Sequence, residues 1–397
     1  MSCIHGNTMY HYDYNMFEKT FQHTLLKHAP LKTKILRGND KPFMDKSLRK
    51  SIATRTRLLN AARKSNNDDD YKKYKKQRNM VKKLSFKMKR EYYQTLNPKK
   101  LQFNNKFWKT FKPYLSDKIM SAEKIILVEN NEIISSDSVI AETMNEYFST
   151  ITDTLNIKKW PEPDGTFNIS DKISIAVAKY KNHPSIIKIK ENNATSDLFK
   201  FQHITPDIVQ NKIRYLSSSK STRGYIPINI LKDNIDIYCS YLTDHFNRCI
   251  NDCIFPSDMK LQDISPIFKD TDRTNKKKYR PISILSALSK VLERIIYDQM
   301  SEYMSDRLSN YLCGFRKAHS CEDALLRLIE NWRHRLDNKQ LIGTILCDLS
   351  KAFDTLPHDL IIAKLEAYGF GHDSIRLISD YMSDRMQRCK VGLSYND

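Results

Sequence analysis

An α+β fold is what this sequence predicts, and three observations carry the prediction. Residues 1–118 hold apolar side chains at helical spacing among many lysines. A later stretch carries a hairpin signal around Asn130-Asn131, and Ile264–Lys269 reads as a short strand. An apolar run, Leu341 to Cys347, leads into Asp348 and reads as a buried strand ending in a carboxylate.

Each element follows in order. Met80, Val81, Leu84, Met88 and Tyr92 form a helical stripe, with Lys82, Lys83, Lys87, Lys89 and Arg90 between them. With Lys72, Lys73, Lys75, Lys76 and Arg78 this is the densest positive run of the chain. It reads equally as a solvated helix face or as a surface that tracks phosphates. Phe107, Trp108, Phe111 and Tyr114 read first as a small core and second as base-stacking groups. Lys124–Val128, Asn130-Asn131 and Ile133-Ile134 predict a hairpin. Ser136 is placed to cap a helix with Ile140, Met144, Tyr147, Phe148 and Ile151 on one face. Pro161, Pro163 and Gly165 mark a loop.

From Ile204 the patterning tightens. Thr205-Pro206 opens a helix with Ile208, Val209, Ile213 and Leu216. Ile235, Tyr238, Leu242, Phe246, Cys249 and Cys253 stripe a second. His245, Cys249 and Cys253 stand four apart on it; without a fourth ligand, core packing is the better reading than a metal site. Ile264–Lys269 predicts a strand, and a charged loop leads to Tyr279-Arg280-Pro281-Ile282-Ser283. Leu285, Leu288, Val291, Leu292, Ile295, Ile296 and Met300 form a helix. Ser320 with Asp323 makes a capping box for a helix whose face is Ala324, Leu325, Leu328, Ile329 and Trp332. After Asp348 come two helices, the first closed by Gly369, and then an alternating stretch, Met386 to Val391. Three segments result: 1–118, helical and basic; 119–203, with a hairpin and a helix; and 204–397.

Composition narrows the function. A net charge of +20 over 397 residues, with a pI of about 9.4, calls for a polyanionic partner. Nucleic acid comes first and an acidic membrane surface second. No apolar run is long enough to span a bilayer, mean hydropathy is −0.59, and the N-terminus does not resemble a signal peptide. The eight scattered cysteines fit reduced thiols in an intracellular protein. No Gly-rich phosphate loop of the Walker type occurs. An acid at the end of a core strand is costly unless a cation or a donor meets it. In so basic a chain the expected cation is a metal that also touches phosphate.

Asp348-Leu349-Ser350-Lys351-Ala352-Phe353-Asp354 followed by Leu356-Pro357-His358 resembles motif A of LINE-type reverse transcriptases, those of non-LTR retrotransposons, of the jockey-like kind. Three stretches add to the resemblance in order: Phe255-Pro256 with Ile264–Lys269; Tyr279–Ser283 with Lys290 and Glu293; and Gly314-Phe315-Arg316 with Ser320, Asp323 and Ala324. It covers residues 205–397, and less specifically the segment before, through His28–Lys32 and Pro42-Phe43. It implies a helical N-terminal connector, then fingers and an incomplete palm, from an RNA-directed DNA polymerase acting on an RNA template, a DNA primer or target, and deoxynucleoside triphosphates. The family's chemistry joins a primer hydroxyl to an α-phosphate with two Mg²⁺ (or Mn²⁺) ions. Asp348 would be the catalytic carboxylate and metal ligand, with the Leu349 backbone carbonyl a further ligand. Lys269 and Arg280 would meet the incoming triphosphate. Phe353 would exclude a 2′-hydroxyl. Asp354 would be structural, and Arg316 would brace the palm or position template. No membrane is implied, the oligomeric state stays open, and cytoplasm and nucleus are the expected places.

The pattern also departs from the family. No motif B follows Asp354, and the only adjacent aspartates, Asp68-Asp69-Asp70, lack the flanking apolar strands of the Ala-Asp-Asp motif C. Met259 stands where Trp is common, and Ala318 and Cys321 stand for Gly and Thr. Ser221–Pro227 lacks an Asp before Ile226-Pro227. The expectation is a fragment, truncated at its C-terminus, that does not polymerise DNA alone. The rival expectation is a non-catalytic, basic nucleic-acid-binding remnant.

Overall fold

A computed structural model describes residues 4–30, 43–65, 67–95, 125–151, 169–193, 197–218, 222–224, 226–269, 271–349, 351–392 and 394–395. The 107–114 aromatic cluster and the 161–165 loop lie outside them. The chain divides into two units: Met1–Pro30 with Lys124–Asp397, and Leu31–Glu123. Helix α1 (Ile4–His28) belongs to the larger unit, because Phe17 and Phe21 lie against the Tyr238 ring and Phe17 stacks on Tyr241.

The smaller unit is a helical hairpin of α2 (Lys46–Ser65) and α3 (Asp68–Gln94). Asn67 caps α3 by accepting from the Asp69 amide, and three aspartates occupy its first turn, where the helix dipole favours negative charge. Leu48, Ala62 and Val81 are buried between the helices. Met80, assigned to the same stripe from sequence, is 54% exposed. It sits one position off the buried Val81, and one position turns a helical side chain by about 100°.

The larger unit has a helical core and a sheet side. The helices are α4 (Asp137–Ser149), α5 (Ile169–Tyr180), α6 (Pro184–Asn192), α7 (Pro206–Tyr215), α8 (Ile228–Asp233), α9 (Ile235–Asp252) and α10 (Ala287–Met304). Then follow α11 (Cys321–Asp337), α12 (His358–Ala367) and α13 (His372–Met382). The core draws on Val209 and Ile213, Leu242 and Phe246, Val291 and Leu292, and Leu377. Each fully buried side chain of this size stabilises by roughly 1.5–3 kcal/mol. His245 and Cys249 are buried in it, with Sγ 3.8 Å from Nε2, and no group of metal ligands forms among the described residues.

The strands are β1 (Leu127–Glu129), β2 (Glu132–Ile134), β3 (Leu261–Phe268), β4 (Tyr279–Ile284), β5 (Met386–Val391) and β6 (Ser394–Tyr395). The β1–β2 turn has Asn130 and Asn131 both at positive φ, the tight hairpin that the Asn pair predicts. In the larger sheet the order is β4-β3-β5-β6. β3 pairs antiparallel with β4 (Ile267 opposite Arg280) and parallel with β5 (Asp263 opposite Arg388). Asp263 is buried at that seam. Arg388 reaches it at 2.7 Å and Arg223 at 3.6 Å, so the carboxylate has two guanidinium partners. Helix α4 covers the sheet with Ile140, Met144, Tyr147 and Phe148, although Ser136 bonds to the Ser138 hydroxyl rather than to a helix amide.

Helix α12 ends as the sequence predicts. Gly369 takes φ +86°, its amide donates to Glu366 and the Phe370 amide to Leu365, closing the last turn. Buried Asp359 in its first turn accepts from Lys179 and Tyr180. No helix of the described residues is long and apolar enough to cross a membrane, and every described cysteine is a free thiol.

Candidate active site

The β3–β4 hairpin positions two of the predicted residues. Its register continues past β3, where the Lys269 amide donates to the Lys278 carbonyl at 2.8 Å. In an antiparallel pair, side chains two apart on a strand, and those directly opposite, share a face. Ile267, Lys269, Lys278 and Arg280 therefore point to one side, and all but Lys278 are exposed there. The other side carries Ile264, Phe268 and Tyr279 into the core under α4. Alternation along two short strands thus sets Lys269 and Arg280 on one open face, diagonal to each other across the register.

Asp348 and Leu349 are placed differently from the expectation. Leu341–Leu349 is neither strand nor helix, and it is exposed: Leu341 is 100% accessible, Ile345 88% and Leu346 89%. The reading of a buried strand ending in a carboxylate is corrected here. A strand is held by a ladder partner, and none of the described strands pairs with this segment. The preceding helix α11 has the predicted capping box, with the Ser320 amide and hydroxyl donating to Asp323 and holding its carboxyl below the usual range. Its predicted apolar face is uncovered, and no residue of the helix is buried.

The turn after Asp348 does make contacts. The Phe353 ring meets Phe315 edge-to-face at 5.8 Å, joining motif A to the Gly314-Phe315-Arg316 turn. Lys351 Nζ lies 5.2 Å over the Tyr147 ring of α4, and Lys276 Nζ from the β3–β4 loop lies 5.9 Å over the same ring while pairing with Glu129. Tyr147 so joins the hairpin loop to the motif A turn; sequence reasoning placed it in the core stripe and missed this role, which has no local signal. Partial burial raises the Asp354 carboxyl above its ordinary range, and Lys351 opposes this. Arg316 donates to the Ser305, Ser309 and Leu312 carbonyls beyond α10, a bracing role. Burial raises Glu293 too, held by the Tyr381 hydroxyl at 3.0 Å with Arg385 at 3.7 Å.

No hydrogen bond or ion pair joins Asp348 to Lys269, Arg280 or Phe353 among the described residues. Mg²⁺ needs several hard oxygens, and no group of metal ligands forms around Asp348 among the described residues.

Residues 267–396, from the hairpin through Asp348 to the last strand, match the family Reverse transcriptase (RNA-dependent DNA polymerase). The chain is 31% identical over 159 residues to the probable RNA-directed DNA polymerase from transposon BS of Drosophila melanogaster. It is 32% identical over 121 residues to that from the X-element of the same fly, and 28% over 130 residues to the polymerase of the mobile element jockey in Drosophila funebris. The chain carries a LINE-type reverse transcriptase segment. These matches take in 39%, 30% and 32% of this chain, but only 17%, 13% and 14% of the relatives. The matched residues hold Lys269 and Arg280, Arg316, Asp348 and the turn from Lys351 to Thr355, a small part of what the relatives contain.

Proposed function

We propose that this chain is part of an RNA-directed DNA polymerase of a non-LTR retrotransposon, comprising a helical connector, the fingers and the start of the palm. The observation that carries the reading is the shared open face of Lys269 and Arg280, on a hairpin at the start of the matched segment. A Lys point charge beside an Arg fork suits a nucleoside triphosphate. Asp348, with the Leu349 carbonyl, is this chain's share of a Mg²⁺ (or Mn²⁺) site, and Phe353 is its guard against a 2′-hydroxyl. The template is RNA, the primer or target DNA, and the place of action cytoplasm and nucleus. Two-ion nucleotidyl transfer needs carboxylates beyond Asp348, and none gathers with it among the described residues, so the polypeptide alone is not expected to polymerise.

Primer extension on poly-A with oligo-dT, Mg²⁺ and labelled dTTP tests the last point, with Asp348→Ala as control. We expect no incorporation from either protein. Incorporation that Asp348→Ala abolishes would overturn it. Fluorescent deoxynucleotide binding tests the hairpin: Lys269→Ala and Arg280→Ala each weaken it about tenfold, the worth of one charge-assisted hydrogen bond. Unchanged binding in both removes the triphosphate assignment. The rival reading, a nucleic-acid-binding remnant, is favoured by the charge on α3.

A further inference from the structure

Between Lys46 and Gln94 stand seventeen Lys and Arg against four acids, a surplus of thirteen out of the chain's net +20. Three of those acids sit in the first turn of α3, where Asp69 pairs with Lys72, and Asp70 with Lys73 and Ser65. The fourth, Glu91, pairs with Lys87. Lys75, Lys76, Lys82, Lys83 and Arg90 have no acidic partner among the described residues, and all five are exposed. At 3.6 residues per turn they fall, with Lys72 and Asn79, within about a third of the helix circumference, opposite Val81, Leu84 and Met88. From Lys75 to Arg90 the stripe runs about 22 Å. Phe86 stands in the middle of it and is 70% exposed.

A merely solvated helix face mixes the two signs, because like charges four apart destabilise a helix. From Lys75 to Arg90 this face carries one sign, with Asp68 on it only in the first turn of the helix, and it leaves an aromatic ring open at its centre. Positive side chains along a line, with a ring between them, are the parts of a single-strand platform: the cations follow phosphates and the ring takes a base. We propose that the outer face of α3 binds single-stranded nucleic acid, with Lys75, Lys82, Lys83 and Arg90 on the backbone and Phe86 stacked on a base. The proposal deepens the nucleic-acid reading and does not require the polymerase reading.

The test uses the full chain and anisotropy of labelled oligo-U, with oligo-dT and a duplex of equal length, over a salt series. Phe86→Ala is expected to weaken oligo-U binding about tenfold with the salt slope unchanged, and Phe86→Tyr to restore it. Lys75→Ala/Lys82→Ala/Lys83→Ala is expected to flatten the slope of log K against log salt by about 2. Circular dichroism should show the same helix content in each variant. Equal binding of oligo-U and oligo-dT, or preference for either, fits the proposal. Wild-type affinity in Phe86→Ala, an unmoved slope in the lysine variant, or tighter binding of duplex than of single strands overturns it. The double variant Lys269→Ala/Arg280→Ala separates the two readings. It should keep oligo-U binding within about twofold, since it leaves the α3 face and its phosphate contacts intact. A large loss there, with none in the α3 variants, would move the binding to the hairpin.

Discussion

Helices α9 and α11 are nearly matched in length and pattern, at 18 and 17 residues, each with an apolar stripe. The first buries Tyr238, Leu242, Phe246 and Cys249; the second buries nothing, and leaves Leu325 57% and Leu326 59% exposed. Amphipathicity states which face of a helix avoids water. It does not state what covers that face, because cover is supplied by residues distant in sequence. The same difference separates β3, flanked by two strands, from Leu341–Cys347, flanked by none.

Substitution sharpens this contrast. Phe246→Ala should cost about 3–5 kcal/mol through transfer and cavity terms, whereas Leu325→Ala should stay within about 0.5 kcal/mol. Urea denaturation of the two variants measures both. Equal losses would mean that α11 is covered in solution, and the comparison would break.

A smaller effect probes the packed side. Burial raises the Glu293 carboxyl from its ordinary 4.5. A carboxyl raised in the folded state is bound to its proton more tightly there than in the unfolded chain. Its contribution is therefore full at low pH and declines as pH rises through the folded-state value. Glu293→Gln, which resembles the protonated form, should gain on the wild type in urea midpoint as pH climbs above 4.5. A constant difference across that window would show that Tyr381 and Arg385 cancel the burial.

The smallest effect concerns Ala318, held at φ +59° on an exposed turn. An L side chain there is strained, so Ala318→Gly should stabilise by about 0.5–1 kcal/mol, less what glycine's freer unfolded chain takes back. Thermal unfolding would register it. No gain would place the turn's conformation elsewhere in solution.

Much of the fold was legible because it is local. The Asn130-Asn131 turn, the Ser320–Asp323 box, the Gly369 stop and the α9 and α10 stripes each depend on residues a few positions apart. That Lys269 and Arg280 share one face was not read from the sequence, because it depends on the register between two strands. The exposure of Leu341–Cys347 was not legible, since an apolar run states a preference and a ladder partner must satisfy it. Tyr147 between Lys351 and Lys276 was not legible either, because that contact brings together three stretches with no shared period.

The seam at Asp263 bears on how the chain is made. Arg388 follows Asp263 by 125 residues, and at ~5–20 residues per second that interval lasts about 6–25 s on the ribosome. The β3–β4 hairpin itself closes in about 1–10 μs. Throughout synthesis of the intervening helices, then, β3 waits with an open edge, and the carboxylate set into that edge disfavours pairing with any neutral strand of a neighbouring nascent chain. Asp263 is in this sense a lock cut for a key translated long after it.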